Sequence, residues 1–277
     1  MDAPYFFVLG LPKSGTTWVQ KALDAHPQLV CRGEGKFMAF RKELSKAAAK
    51  YSNHIAGYQK KVFGEEFFPP MPRAEFDRLY RCFIEGRLIG DGAPPGVQRI
   101  GNKDPEHGPV LSDLAQHFPG AAFIHVIRDP RDVAVSTWHH MRRVEPGFVE
   151  TIGDFEALAR QIVAEWRAYV RGVRRVNAEK VLEYMEIRYE DLHTDPTANL
   201  SELYSFLGVA AAPSVVEAAL ERASFERASG GRARGEPDTL SFYRKGAVGD
   251  WRNYMSEDLS DEILQSTDGL ADALGYR

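Results

Sequence analysis

Tyr5-Phe-Phe-Val-Leu-Gly-Leu11, followed by Pro12-Lys-Ser-Gly-Thr-Thr-Trp18, is an apolar run that breaks into a loop carrying two glycines, Gly10 and Gly15. A nearly continuous apolar run ended by proline is the pattern of a strand buried on both faces, as in a parallel sheet. Thr17 to His26 then takes a helical period before Pro27. Strand, glycine loop and helix in that order put unpaired backbone N–H groups at a helix start, where the helix dipole adds positive potential. Such a junction suits phosphate, and Lys13 with the hydroxyls of Ser14, Thr16 and Thr17 adds further donors.

The theme recurs along the chain. Ala121 to Ile127 is an apolar strand running into Arg128-Asp129-Pro130, and Val133, Val135, Trp138 and Met141 space a helix after it. Phe155, Leu158, Ile162, Trp166, Tyr169 or Val170, Val173 and Val176 form one buried stripe of a long helix. Val181 to Ile187 reads as another strand, and Asn199 to Leu207 as a helix closed by Gly208. Strands alternating with helices predict an α/β fold, a P-loop-like parallel sheet flanked by helices on both faces, within a single domain over residues 1–277. Two regions break the rhythm and read as loops or lids. One is 51–72, with Tyr51, Tyr58, Phe63, Phe67 and Phe68 before PPMP; the other is the Gly- and Arg-rich stretch 226–250.

Composition narrows the function. Hydrophobic residues at 44% and charged residues at 27% describe a globular chain, and 35 Lys and Arg against 39 Asp and Glu leave a net charge of −4. No bulk positive field exists to hold nucleic acid or an anionic membrane, so any anion site is local. No apolar run approaches the ~20 residues of a membrane span, and the N-terminus lacks a basic region before its apolar stretch. Two cysteines, Cys31 and Cys82, make neither a disulfide framework nor a zinc site, which suits the cytoplasm. His139-His140 lacks a third ligand at metal spacing, and Arg171, Arg174 and Arg175 read as a solvated helix face.

The loop departs from the Walker A form, in which Lys directly precedes the Ser or Thr that ligates magnesium. Here Lys13 lies earlier, and the strand ending at Ile127 is followed by Arg128, a cation where a metal-binding carboxylate is expected. An additional phosphate fits this arrangement better than a metal.

Pro12-Lys-Ser-Gly-Thr-Thr-Trp18 resembles the 5′-phosphosulfate loop of sulfotransferases that use 3′-phosphoadenosine 5′-phosphosulfate (PAPS). Three further segments resemble the same family in the same order. They are Arg128-Asp-Pro-Arg-Asp-Val-Ala-Val-Ser136, Tyr189-Glu-Asp-Leu192 and Arg244-Lys-Gly-Ala-Val-Gly-Asp-Trp-Arg-Asn253. The resemblance implies the sulfotransferase fold, with sulfuryl transfer from PAPS to an acceptor hydroxyl, release of adenosine 3′,5′-bisphosphate (PAP) and no metal. It assigns Lys13, Ser14, Gly15, Thr16 and Thr17 to the 5′-phosphosulfate. Arg128, Ser136, Arg244, Lys245 and Gly246 fall to the 3′-phosphate, and Trp18, Tyr189 and Phe225 to the surroundings of adenine.

Lys13 and Lys103, the latter in Asn102-Lys-Asp-Pro105, are implied as cations at the transferring group. Where cytosolic members carry a His after their lysine, Pro105 stands here and cannot accept a proton. Cys31-Arg-Gly-Glu34 instead resembles the segment of tyrosylprotein sulfotransferases whose Glu is the base, which implies Glu34, with partial burial raising its pKa. His107 is the alternative base. A small-molecule acceptor is expected, with aromatic residues between 37 and 72 as a candidate pocket, and peptidyl tyrosine as the alternative. A P-loop kinase and a non-catalytic nucleotide sensor are the rival readings. Oligomeric state is open, since the dimer motif of cytosolic members is not recognisable after Trp251.

Overall fold

The computed structural model describes residues 5–65, 68–90, 92, 94–145, 147–233, 235–236, 238 and 245–277. Tyr5–Leu9 forms β1 at the centre of a five-stranded sheet. Leu29–Arg32 is β2, Arg99–Lys103 β3, Ala122–Ile127 β4 and Glu183–Arg188 β5. All the pairings are parallel and the order is β2-β3-β1-β4-β5. Val8 sits beside Lys103 on one side, and Leu9 beside His125 on the other. The chain leaves β1 for the β2 side and later steps over β1 from β3 to β4. The carboxyl end of β1 is therefore a topological switch point, where open α/β sheets leave a crevice for ligands. The loops after all five strands gather at that edge.

Phe6, Phe7, Val8 and Leu9 are all fully buried, which a period of two divides between the two faces. Phe6 and Val8 pack with α1 (Thr16–Asp24) and the helices Pro196–Phe206 and Pro213–Arg222. On the other side of the sheet order, α2 (Phe37–Phe63) follows β2, and α3 (Arg73–Ile89) and α4 (Leu111–His117) bracket β3. Phe7 and Leu9 pack against α3 and α4. Beyond β4 come α5 (Pro130–Val144), α6 (Phe148–Ile152) and α7 (Phe155–Lys180), whose Leu158, Ile162, Trp166, Val170 and Val173 form the expected buried stripe. Each fully buried side chain of this size contributes roughly 1.5–3 kcal/mol.

Residues 51–72 differ from expectation: 51–63 continue α2 rather than forming a loop. Only Phe37 and Gln59 are buried along that helix, so it has no burial stripe for periodicity to report. Its alanines, lysines and leucine supply helix propensity instead. Tyr51, Tyr58, Phe63 and Phe68 are exposed and line neither cavity described below, so they are not the expected aromatic pocket; Phe67 lies outside the described residues. β2 and β3 also escape a periodicity reading. β3 is Arg-Ile-Gly-Asn-Lys, with Gly101 lying under the Phe6 ring, where a Cβ would collide.

Candidate active site

The loop after β1 is held in a conformation that opens its amides. Lys13 and Gly15 have φ of 74° and 91°, the left-handed region that glycine enters freely and lysine does not. Ser14 N–H donates to the Leu11 carbonyl at 3.1 Å and Trp18 N–H to that of Gly15 at 2.9 Å. The amides of Gly15, Thr16 and Thr17 take part in no backbone hydrogen bond among the described residues. Gly15 lies against the face of Tyr189, and any Cβ there would enter the ring. Ser14 Oγ and Trp18 Nε1 are buried without a partner, which is costly unless a ligand satisfies them.

Arg128 joins this loop to the C-terminal one. Its guanidinium lies 4.6 Å from the Tyr189 ring centroid and donates to the Lys13 carbonyl at 3.2 Å and the Ala247 carbonyl at 2.9 Å. Nε is buried and unpartnered, so the planar fork retains a donor. Asp132, in the first turn of α5, accepts from the amides of Gly249 (2.7 Å) and Trp251 (3.0 Å), fixing the C-terminal loop against the start of that helix. Lys245 Nζ reaches Asp250 Oδ1 at 2.6 Å, and Gly246, with φ of 65°, lies under Phe225. Arg244 lies outside the described residues. Asp129, beside the position a metal-binding carboxylate would take, gives both oxygens to Arg131, at 3.0 and 2.7 Å.

A third group forms where β2 and β3 end. Glu34 Oε1 accepts from Lys103 Nζ at 2.8 Å, and Oε2 lies 2.8 Å from Lys36 Nζ. Burial works to raise the Glu34 pKa, but the hydrogen bonds from Lys103 and Lys36 override it and hold the carboxyl down at about 2. The expectation of a raised pKa is thereby corrected. Asn102 braces this turn, its amide donating to the Gly33 carbonyl and its Oδ1 accepting from His107 Nε2 at 2.8 Å. His107 is itself in the core, against Phe7, with burial lowering its pKa to about 4. The alternative base is thus walled off: its ring supports Asn102 and does not line the cavity. Lys13 is lowered to about 8, by burial first and then by the positive field of Arg143.

These groups face one cavity of about 580 Å³. Lys13, Gly15, Thr16, Thr17 and Trp18 line it from the first loop; Arg128 and Tyr189 line it from just past β4 and β5, and Ser136 from α5. Phe225, Lys245, Gly246 and Glu34 complete the predicted set. Ser14 and Lys103 are buried behind the wall, Lys103 touching the cavity through Glu34. Four charged or titratable lining residues lie outside the predicted site. His140 stands one turn beyond Ser136 on α5, Lys21 one turn beyond Thr17 on α1, Lys36 lies two residues past Glu34, and Glu106 follows Pro105. Burial, then Lys13 and Arg143, lower the His140 pKa to about 4, so the ring is neutral. The i to i+4 spacing from a predicted site residue was the available signal. A second, open groove of about 1100 Å³ runs along α2 and α3 and shares Glu106 with the first.

Known proteins resemble the chain in sequence and in fold. Cytosolic sulfotransferase 17 of Arabidopsis thaliana is 26% identical over 295 residues, covering 96% of this chain and 72% of that protein. Protein-tyrosine sulfotransferase 1 of Danio rerio is 27% identical over 216 residues, covering 75% of this chain and 54% of that protein. Flavonol 3-sulfotransferase of Flaveria bidentis is 27% identical over 170 residues, and the alignment covers about half of each, 54% and 53%. Among solved structures, mouse sulfotransferase SULT7A1 complexed with PAP superposes with a TM-score of 0.60 at 19% identity, covering 99% of this chain and 86% of that one, a likeness of fold. A family model described as the sulfotransferase family matches residues 4–213, and the chain belongs to that family.

Proposed function

We propose that the chain, acting as a single domain over residues 1–277, transfers a sulfuryl group from PAPS to the hydroxyl of a small molecule. The observation that carries this reading is the 580 Å³ cavity, in which a loop of unspent amides, Arg128 and Glu34 face one another. Solved proteins of the same fold crystallised with PAP support the same donor. The orphaned Ser14 Oγ, Trp18 Nε1 and Arg128 Nε fit a polyanionic nucleotide, since each is a donor awaiting an acceptor.

The division of labour follows from the chemistry of each group. The amides of Gly15 to Thr17 and the hydroxyls beside them hold the 5′-phosphate oxygens. Arg128, Ser136, Lys245 and Gly246, with Arg244, take the 3′-phosphate, while Trp18, Tyr189 and Phe225 flank adenine. PAPS supplies the activated S–O bond. Glu34 accepts the acceptor's proton as its oxygen attacks sulfur, and the bond from sulfur to the 5′-phosphate breaks. Lys13 stabilises the charge that collects on the sulfuryl oxygens and the leaving phosphate, while Lys103, buried behind Glu34, acts on the site through that carboxylate. No metal enters the scheme; the engagement of Asp129 by Arg131 weighs against a magnesium-dependent kinase.

Lys36, Glu106, Thr137 and His140 line the cavity beside Pro12, Pro105 and Met141, so it offers an acceptor both polar and apolar contacts. The likeness to a cytosolic sulfotransferase supports a cytoplasmic site of action. Among the described residues no helix is long and apolar enough to cross a membrane. The test is incubation with ³⁵S-labelled PAPS and a panel of alcohols, phenols and tyrosine peptides without magnesium. Transfer of label to a small hydroxyl is the expected result. Label on tyrosine peptides alone would move the acceptor class. Magnesium-dependent ATP turnover would favour a kinase, and PAP binding without any transfer a nucleotide sensor.

A further inference from the structure

Tyr169 lies on α7 and does not line the nucleotide cavity. Its hydroxyl accepts from the Gly10 amide at 3.0 Å and donates to the Pro105 carbonyl at 2.8 Å. Gly10 opens the phosphate loop that carries Lys13, and Pro105 is two residues past Lys103. One phenol therefore joins the ends of β1 and β3, the two strands whose loops present the two lysines. The Gly10 amide has no backbone acceptor among the described residues, and the Pro105 carbonyl has only a long 3.5 Å bond from Gly108 N–H, so losing the hydroxyl would leave both poorly satisfied.

The surroundings keep the phenol in that role. Gly10 lies against the Val126 carbonyl and Gly108 against the Tyr169 ring itself, so a Cβ at either position would push the tie apart. The ring also packs 5.8 Å from His125 on β4. Burial raises the Tyr169 pKa beyond its ordinary range, so the hydroxyl keeps both its donor and its acceptor function across the working pH range.

We infer that Tyr169 is a positioning residue, whose hydroxyl sets the separation of the Lys13 and Lys103 loops for sulfuryl transfer. The inference rests on the proposed transfer reaction for its kinetic consequence, but the tie between the loops does not. Tyr169→Phe keeps the ring and removes only the tie. A displacement of about 1 Å in a reacting group can cost two orders of magnitude in rate, so a kcat loss of roughly tenfold or more is expected. The dissociation constant of PAP should stay within about threefold, because the amides of Gly15 to Thr17 belong to the start of α1. The alkaline limb of kcat/KM, set by Lys13, should move to higher pH as the loosened loop admits water.

Tyr204→Phe is the control. Tyr204 is fully buried and donates to the Ala22 carbonyl at 2.7 Å, at the opposite end of α1 from the phosphate loop, so its loss should lower stability and leave kcat and the limb unmoved. If Tyr169→Phe does not fold, the exchange rate of Gly10 N–H in the wild type decides the tie by itself. Amide exchange reads the tie without any turnover: Gly10 N–H should be protected in the wild type and exchange faster in the variant. An unprotected Gly10, or a variant with wild-type kcat and limb, overturns the inference. Faster exchange in the variant of an enzyme that transfers no sulfuryl group upholds the tie and removes the transfer reading instead.

Discussion

Lys103 donates to Glu34 across 2.8 Å from a side chain only 6% exposed, while Glu34 itself is 38% exposed. The carboxylate is therefore clamped from behind by a buried cation and from the front by Lys36, which is 52% exposed. A pair with such unequal partners is asymmetric in what can displace them. An incoming hydroxyl can replace the solvated Lys36 at Oε2 but cannot dislodge Lys103, so the carboxylate meets its substrate already oriented.

Glu34→Gln keeps the size of the side chain and removes the base. PAP affinity measured by calorimetry should be unchanged, and turnover should fall by about a hundredfold or more, the usual contribution of a positioned general base. A Glu34→Gln enzyme with near-normal turnover would remove Glu34 from the base role. His107→Ala should act differently: with Asn102 Oδ1 deprived of its donor and a core ring lost, it should unfold at lower temperature.

The pH dependence is set by Lys13, whose pKa burial and Arg143 bring down to about 8. Below that value the ammonium is charged and available to the transferring group; above it the group is neutral. The kcat/KM profile, which reports the free enzyme, should be flat from about 6 to 7.5 and fall by about tenfold per unit well above 8. Glu34, held near 2, adds no acid limb in that window. Lys13→Arg keeps its charge at all these pH values and should abolish the limb, although at a lower plateau. A limb that persists in Lys13→Arg belongs to another group.

PAP and AMP differ only in the 3′-phosphate, which Arg128, Ser136 and the loop at Lys245–Gly246 are proposed to hold. Charge-assisted hydrogen bonds contribute roughly 1.5–3 kcal/mol each. Losing two of them should weaken AMP relative to PAP by at least about a hundredfold, with no magnesium needed for either. Equal affinities by calorimetry would detach these residues from the 3′-phosphate.

What the sequence disclosed follows burial. β1 was legible because Phe6 to Leu9 are all buried, and α7 because its buried positions recur every three or four residues. β3 was not, because Asn102 and Lys103 are buried polar groups whose partners, the Gly33 carbonyl and Glu34, lie 69 residues earlier. α2 was not, because almost nothing along it is covered. The site shows the same division. The phosphate loop is one continuous stretch and could be read directly. The low pKa of Glu34 depends on a cation from another strand, and the place of His140 at the cavity depends on how α5 is rotated against the sheet.

Two glycine substitutions separate the loop's geometry from general tolerance. Gly15 has a φ of 91° and lies against Tyr189, so alanine there is strained and drives its Cβ into the ring on which Arg128 rests. Moving Tyr189 moves the guanidinium, and Gly15→Ala should lose about a hundredfold in PAP affinity through its charge-assisted contacts. Overpacking of this kind also costs about 1–3 kcal/mol of stability. Gly57, by contrast, is an exposed residue inside α2, where an added Cβ would meet nothing within 4 Å. Gly57→Ala should stabilise the chain by about 0.5–1 kcal/mol, the helix-propensity difference between the two residues. Its PAP affinity should be that of the wild type. Thermal unfolding together with calorimetry checks both. If Gly15→Ala binds PAP as the wild type does, the loop tolerates a Cβ and the contact between Gly15 and Tyr189 does not shape the phosphate site.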